Sequence, residues 1–157
     1  ADAPLHYHAE GVDSARSDLA AYIGECAVVD ARNAIDAVKI EDIDWDELAG
    51  AKRVLFRTYD RVPRAAWDHG FSAIDHAVVD RLGQQGAVLI GTDTPSLDPM
   101  TSKTMDAHHA VRRHDMRILE GLVLDHVAEG RYELVALPLP IEGADASPVR
   151  AILRELA

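Results

Sequence analysis

Cysteine occurs once, as Cys26, in 157 residues, so no disulfide can form within the chain and an oxidising compartment gains no support. Cys26 lies in the apolar stretch 23–29, where a buried, inert thiol is expected. Basic charge is also scarce: 16 Lys and Arg stand against 27 Asp and Glu, a net charge of −11. A field of that sign repels phosphate backbones and anionic lipid, which argues against nucleic-acid and membrane partners and suits a cation site. No apolar run approaches the length of a membrane-spanning helix. No signal-peptide pattern opens the chain, so a cytoplasmic soluble protein is the expectation. Also missing are a Gly-rich phosphate loop, a nucleophile elbow, a CxxC pair, internal repeats and linkers. What is present is 48% hydrophobic and 27% charged, the make-up of one globular domain able to bury most of its surface around a single core. The opening Ala1-Asp2-Ala3-Pro4-Leu5-His6 has no initiator Met and reads as the middle of a segment, so further residues are expected upstream.

The pattern along the chain predicts mixed α and β structure. Residues 13–21 have helical spacing, with Leu19, Ala20 and Tyr22 apolar. Residues 27–30 suit a buried strand. One or two short helices are expected over 33–50, where Ile40, Ile43 and Leu48 share a face and Asp44 or Asp46 caps a turn. A strand follows at 53–58 and a loop at 59–71, with Trp45 and Trp67 expected to be partly in the core. The clearest unit is an amphipathic helix over 75–85, closed by Gly83 and Gly86, the latter as C-cap, and followed by the apolar strand 87–91. Further strands are predicted at 117–124 and 131–137. A last helix is predicted over 148–156, with Ser147 as N-cap and Pro148 at its first position.

Eight histidines are present. Asp2 and His6 share one short segment, where Pro4 excludes an ordinary helix interior. His108 and His109 precede Glu120. On one straight helix His108 and Glu120 would lie roughly 120° and about 18 Å apart and could not share a metal. They converge only if the helix ends near 113–115 and the chain folds back as a strand carrying Glu120 among Leu119, Leu122 and Leu124. A carboxylate there needs a partner. On spacing alone, His108, His109 and His114 read as surface histidines, because scattered His and Glu form no local zinc signature. His69, His76 and His126 read as ordinary surface or capping groups. The polar loop 92–99 reads equally as a substrate loop beyond a strand's C-terminal end or as Asx and proline turns.

Asp2-Ala3-Pro4-Leu5-His6 resembles the second half of the signature His-X3-His-X-Asp-X-Pro-X-His of the metal-dependent cyclase-like family. The runs Thr92-Asp93-Thr94-Pro95-Ser96-Leu97-Asp98-Pro99 and Ser102-Lys103-Thr104-Met105-Asp106-Ala107-His108-His109-Ala110 resemble its bacterial kynurenine formamidase branch. So do Glu120-Gly121-Leu122, Leu137-Pro138-Leu139 and Asp145-Ala146-Ser147-Pro148-Val149-Arg150. The resemblance implies a swivelling β/β/α domain, a mixed sheet with flanking helices, spanning 1–157 without its N-terminal portion. It further implies a homodimer with two zinc ions per subunit. Asp2 would bridge the two metals, His108 (with His109 as fallback) and Glu120 would complete the second, and His6 would donate and accept the proton. The two leading histidines of the signature are absent from this sequence. The implied reaction is hydrolysis of N-formyl-L-kynurenine to L-kynurenine and formate in tryptophan degradation. A related hydrolase of isatin-type substrates and a non-catalytic scaffold are the alternatives.

Overall fold

A computed structural model describes residues 1–156. In chain order it contains α1 (Pro4–Tyr7), β1 (Ile23–Asp30), β2 (Ala37–Val38), β3 (Arg53–Arg57), β4 (Ala73–Ile74), α2 (His76–Gln84), β5 (Leu89–Thr92), α3 (Asp106–Arg113), β6 (Arg117–Leu119), β7 (Gly130–Val135) and β8 (Ile152–Glu155). Six strands form one sheet in the order β6-β5-β3-β1-β7-β8. Its first four strands are mutually parallel, while β7 and β8 are antiparallel to their neighbours. β2 and β4 form a separate parallel pair. The mixed α/β architecture agrees with the pattern expected from sequence.

Two-residue periodicity explains why the central strands are apolar on both faces. Ala27, Val29, Val54, Phe56, Ile90 and Ile118 point to one face, where they pack with Val78, Val79 and Leu82 of α2 and Ala107, Ala110 and Val111 of α3. Cys26, Val28, Leu55, Leu89 and Leu119 point to the other, against Tyr22, Leu122, Leu124 and Leu134. Cys26 is fully buried, and burial first of all pushes its thiol up to about 11, in keeping with an inert core residue. Gly91 on β5 is required by this packing, since a Cβ there would lie 2.5 Å from Leu55 Cδ2.

Several local expectations are corrected. Residues 13–21 form two 3₁₀ turns, Ser14–Arg16 and Leu19–Tyr22, because the Asp13 and Asp18 carboxylates cap each turn separately. The stretch 33–50 holds only β2 and the 3₁₀ turn Ile40–Asp42, although Ile43 and Leu48 are buried as expected. Asp44 does make the anticipated turn contact, accepting from the Asp46 amide. The strand beginning at Arg117 stops at Leu119, and Gly121 follows with φ of 63°. The largest correction is at the C-terminus, where the expected helix over 148–156 is β8. The Ser147 hydroxyl accepts the Leu139 amide instead of capping a helix, and the otherwise open edge of β7 takes Ile152–Glu155 in antiparallel register. Trp45 packs against the core, with Arg81 over its ring, but Trp67 is exposed.

Candidate metal and catalytic site

Three separate segments bring the polar groups together. Asp2 is pinned from its backbone: its amide donates to Ile118 O on β6, and the next amide, of Ala3, donates to Asp145 O. Pro4 then opens the single turn of α1, where its fixed φ suits a first helical position, and that turn carries His6 and Tyr7. The Tyr7 hydroxyl donates to Met116 O, holding α1 against the start of β6.

α3 supplies the second segment. It ends at Arg113, and the chain reverses through His114–Met116 into β6, the one geometry by which His108 and Glu120 can meet. They do so: His108 Nε2 lies 3.5 Å from Glu120 Oε1 and 3.8 Å from Asp2 Oδ2. His108 is 2% exposed, whereas His109 points to solvent. The solvated-helix reading of His108 fails, while it holds for His109.

The third segment is the loop 92–99. Thr92 and Thr94 share a hydroxyl hydrogen bond, and Thr94 donates onward to Ser96 O, as in the turn reading of this run. The loop nevertheless faces the site. Its Leu97 amide donates to Glu120 Oε1 at 2.8 Å, and the Asp98 carboxylate takes His108 Nδ1 at 2.5 Å.

Electrostatics mark this cluster as unusual. Burial lowers the pKa of His108, but the neighbouring Asp2 and Asp98 carboxylates and the Glu120 charge outweigh it and carry the imidazole up to about 9. Asp2, at 3.8 Å, is too distant for a hydrogen bond and acts through its charge. Glu120 moves up to about 7, through burial first and then the Asp2 charge, against the opposing pull of His108 and the Leu97 amide. Among the described residues three buried side-chain atoms have no hydrogen-bond partner, Asp2 Oδ2, His108 Nε2 and Arg117 Nε, and the first two face each other in this cluster. Leaving such atoms unpaired costs free energy that a cation between them would offset. The donor set, carboxylate oxygens with an imidazole nitrogen, suits zinc and other divalent ions. The residues present therefore fit a metal.

One ligand atom each from Asp2, His6 and His108 falls within 4.8 Å of the others, a trio that includes His6 and omits Glu120. The side-chain environment separates the four. His6 Nδ1 is already paired with Asp145 Oδ2 at 3.0 Å on the exposed rim, and its ring centroid is 5.6 Å from that of His108. Glu120 is deeper and contacts His108 Nε2 directly. Asp98 and Asp145, which orient the two histidines, were not singled out by sequence reasoning as site residues. Both lie within matched motifs, but nothing local marks a carboxylate that acts across ten residues or across 139.

Beside Glu120 an open groove of about 600 Å³ is lined by Leu55, Leu122, Leu124, Val127 and Val149. That volume is ordinary for a small-molecule site.

The Cyclase family model matches residues 1–99. A kynurenine formamidase of Sphingopyxis alaskensis is 61% identical over 156 residues, covering 99% of this chain and 75% of that protein. Among solved structures, one described as a potential metal-dependent hydrolase with cyclase activity superposes with a TM-score of 0.88 at 29% identity, over 99% of this chain and 77% of its own. Isatin hydrolase A from Labrenzia aggregata, at 22% identity and a TM-score of 0.78 over 96% of this chain and 69% of its own, shares the fold. With its Asp-X-Pro-X-His segment, its His108–Glu120 pair and these matches together, the chain belongs to the cyclase family, on the branch of its kynurenine formamidases.

Proposed function

We propose that this protein hydrolyses N-formyl-L-kynurenine to L-kynurenine and formate with the help of bound zinc. The observation that carries the reading is the convergence of Asp2, His108 and Glu120 on two orphaned buried atoms, beside His6, in a chain 61% identical to a kynurenine formamidase. In this reading Asp2, His108 and Glu120 hold one metal ion. Asp2 would also serve a second ion, in the count of two per subunit that the family resemblance implies. A divalent cation there supplies Lewis acidity, bringing water to a pKa of about 7 and polarising a formyl oxygen.

The chain's own residues do the remainder. Asp145 accepts from His6 Nδ1, which leaves Nε2 as the free base. His6 takes a proton from the attacking water and returns it to the departing aniline nitrogen as the C–N bond breaks. The apolar groove beside Glu120 would take the aromatic part of the substrate. Residues 1–157 act as one cyclase-like domain in a homodimer. No described helix is long and apolar enough to cross a membrane, and a cytoplasmic setting suits the reaction.

The test is hydrolysis of N-formyl-L-kynurenine by the zinc-supplied protein, with a chelator control and isatin as a competing substrate. Chelator-sensitive formate release from the formyl substrate is expected. Turnover of isatin alone would replace this reading with the ring-opening alternative, and turnover of neither would leave a non-catalytic member of the family. His6→Ala is expected to retain zinc and lose turnover, whereas His108→Ala and Glu120→Ala lose zinc.

A further inference from the structure

The run Thr94–Asp98 helps to place the chain on its branch, yet the reaction above assigns it no work. Its last residue is buried, 6% exposed, and its carboxylate is fully engaged by α3. Asp98 Oδ1 accepts the Ala107 amide at 2.9 Å, and Oδ2 accepts both the His108 amide at 3.1 Å and His108 Nδ1 at 2.5 Å. α3 has no cap of its own: Met105, at its N-cap position, is left-handed with φ of 52° and makes no side-chain capping bond. Asp98 therefore does from a distance what an N-cap side chain does locally, satisfying two of the free amides of the first turn.

Holding the same residue by amide and by ring has a further consequence. A carboxylate only accepts, so the proton of a neutral His108 is fixed on Nδ1 and the lone pair on Nε2. Nε2 is the orphaned atom facing Asp2 and Glu120. One residue before Asp98, the Leu97 amide grips Glu120 Oε1. The Leu97 side chain is fully buried and its carbonyl is tied to the Ile74 amide, so this part of the loop is anchored in the core.

We propose that Asp98 is a positioning residue for the metal site, fixing the ring angle and tautomer of His108 so that Nε2 is presented to the ion, while the adjacent Leu97 amide orients Glu120. This rests on the reading of His108 and Glu120 as metal ligands. Carboxylates that orient a ligating imidazole contribute about 10–100-fold to metal affinity. A residue serving only as a helix cap would contribute to folding stability and leave affinity unchanged.

The experiment is zinc competition against a chromophoric chelator for the wild-type chain and for Asp98→Ala, Asp98→Asn and His108→Ala, with circular dichroism to establish folding. It is paired with nitrogen-15 and proton NMR of histidine-labelled, zinc-loaded wild type. The folded Asp98 variants are expected to bind zinc about 10–100-fold more weakly. The wild-type spectrum is expected to show a downfield His108 Nδ1–H resonance with the metal on Nε2. Wild-type zinc affinity in either folded Asp98 variant would overturn the proposal while leaving the ligand assignment intact. Zinc on Nδ1, or a proton on Nε2, would overturn it even if both Asp98 variants failed to fold. Unchanged affinity in His108→Ala would instead remove the ligand reading on which it rests.

Discussion

Gly83 lies in the last turn of α2, where α3 crosses it, and a Cβ there would meet His114 at 2.2 Å from Cγ and 2.5 Å from Cβ. Gly83→Ala sets two effects against each other. Replacing a helical glycine gains about 1 kcal/mol in propensity, while forcing a methyl into a packed contact costs about 1–3 kcal/mol. Rotating the imidazole does not relieve the clash, because His114 Cβ is itself within 2.5 Å. The ring is also held by Asp80, whose Oδ1 lies 2.9 Å from Nε2. The helices must separate, so the packing cost wins and the variant is expected to lose about 1–2 kcal/mol. Urea unfolding should show a lower midpoint at unchanged slope, with a melting temperature lower by about 2–8 °C. The sign should reverse in the background His114→Gly, which removes all three clashing atoms and leaves only the propensity gain. Equal effects of Gly83→Ala in both backgrounds, or a raised midpoint in the wild-type background, would refute the packing argument.

Three other outcomes follow from the titration shifts. Cys26, with its pKa pushed up to about 11 by burial, is thiolate in only about one molecule in a thousand at pH 8, so Ellman's reagent should react only as fast as the protein opens. Stoichiometric labelling of native protein within minutes would contradict the core placement. His108 is raised to about 9 and Glu120 to about 7, and a metal requires both deprotonated. Zinc binding at pH 7 should therefore release more than one proton, and affinity should tighten as pH rises through that interval. Calorimetry in buffers of different ionisation enthalpy measures the release, and none at pH 7 would defeat the assignment. Because both folded values lie above the unfolded ones, the stability these groups give the metal-free protein is fullest in acid. It is lost as pH rises through about 7 and then about 9.

Legibility in the sequence followed the range of the interactions. Apolar strands such as 53–57 and 89–92 were readable because burial on both faces leaves a continuous local signal. The helix over 76–84 was readable because its cap, Asp75, and its terminating Gly86 are neighbours in the chain. β8 escapes a local reading for the complementary reason. Ser147-Pro148 is a good local helix start, but the edge of β7 and the claim of Leu139 on the Ser147 hydroxyl are set elsewhere. At the site, helical geometry alone established that His108 and Glu120 could meet only through a reversal near 113–115. That the reversal occurs is a matter of tertiary packing, and the choice among histidines came from family motifs.

The same distinction bears on why the cluster persists. Burying carboxylates beside an imidazole is unfavourable unless each polar atom is satisfied. The loop 97–98 and α3 satisfy Glu120 Oε1 and both oxygens of Asp98 with amide and imidazole donors. They stop short of Asp2 Oδ2 and His108 Nε2. Packing could have closed that gap with one more apolar side chain, as it does elsewhere around β5 and β6, where Leu89, Ile90, Ile118 and Leu119 are fully buried. Instead, surrounding carboxylates hold the outer atoms of the two histidines, Asp98 accepting from Nδ1 of His108 and Asp145 from Nδ1 of His6. That division, with outer atoms tied and the facing atoms of Asp2 and His108 unsatisfied, is the arrangement expected of a frame built around a cation and not of a core that happens to contain polar residues.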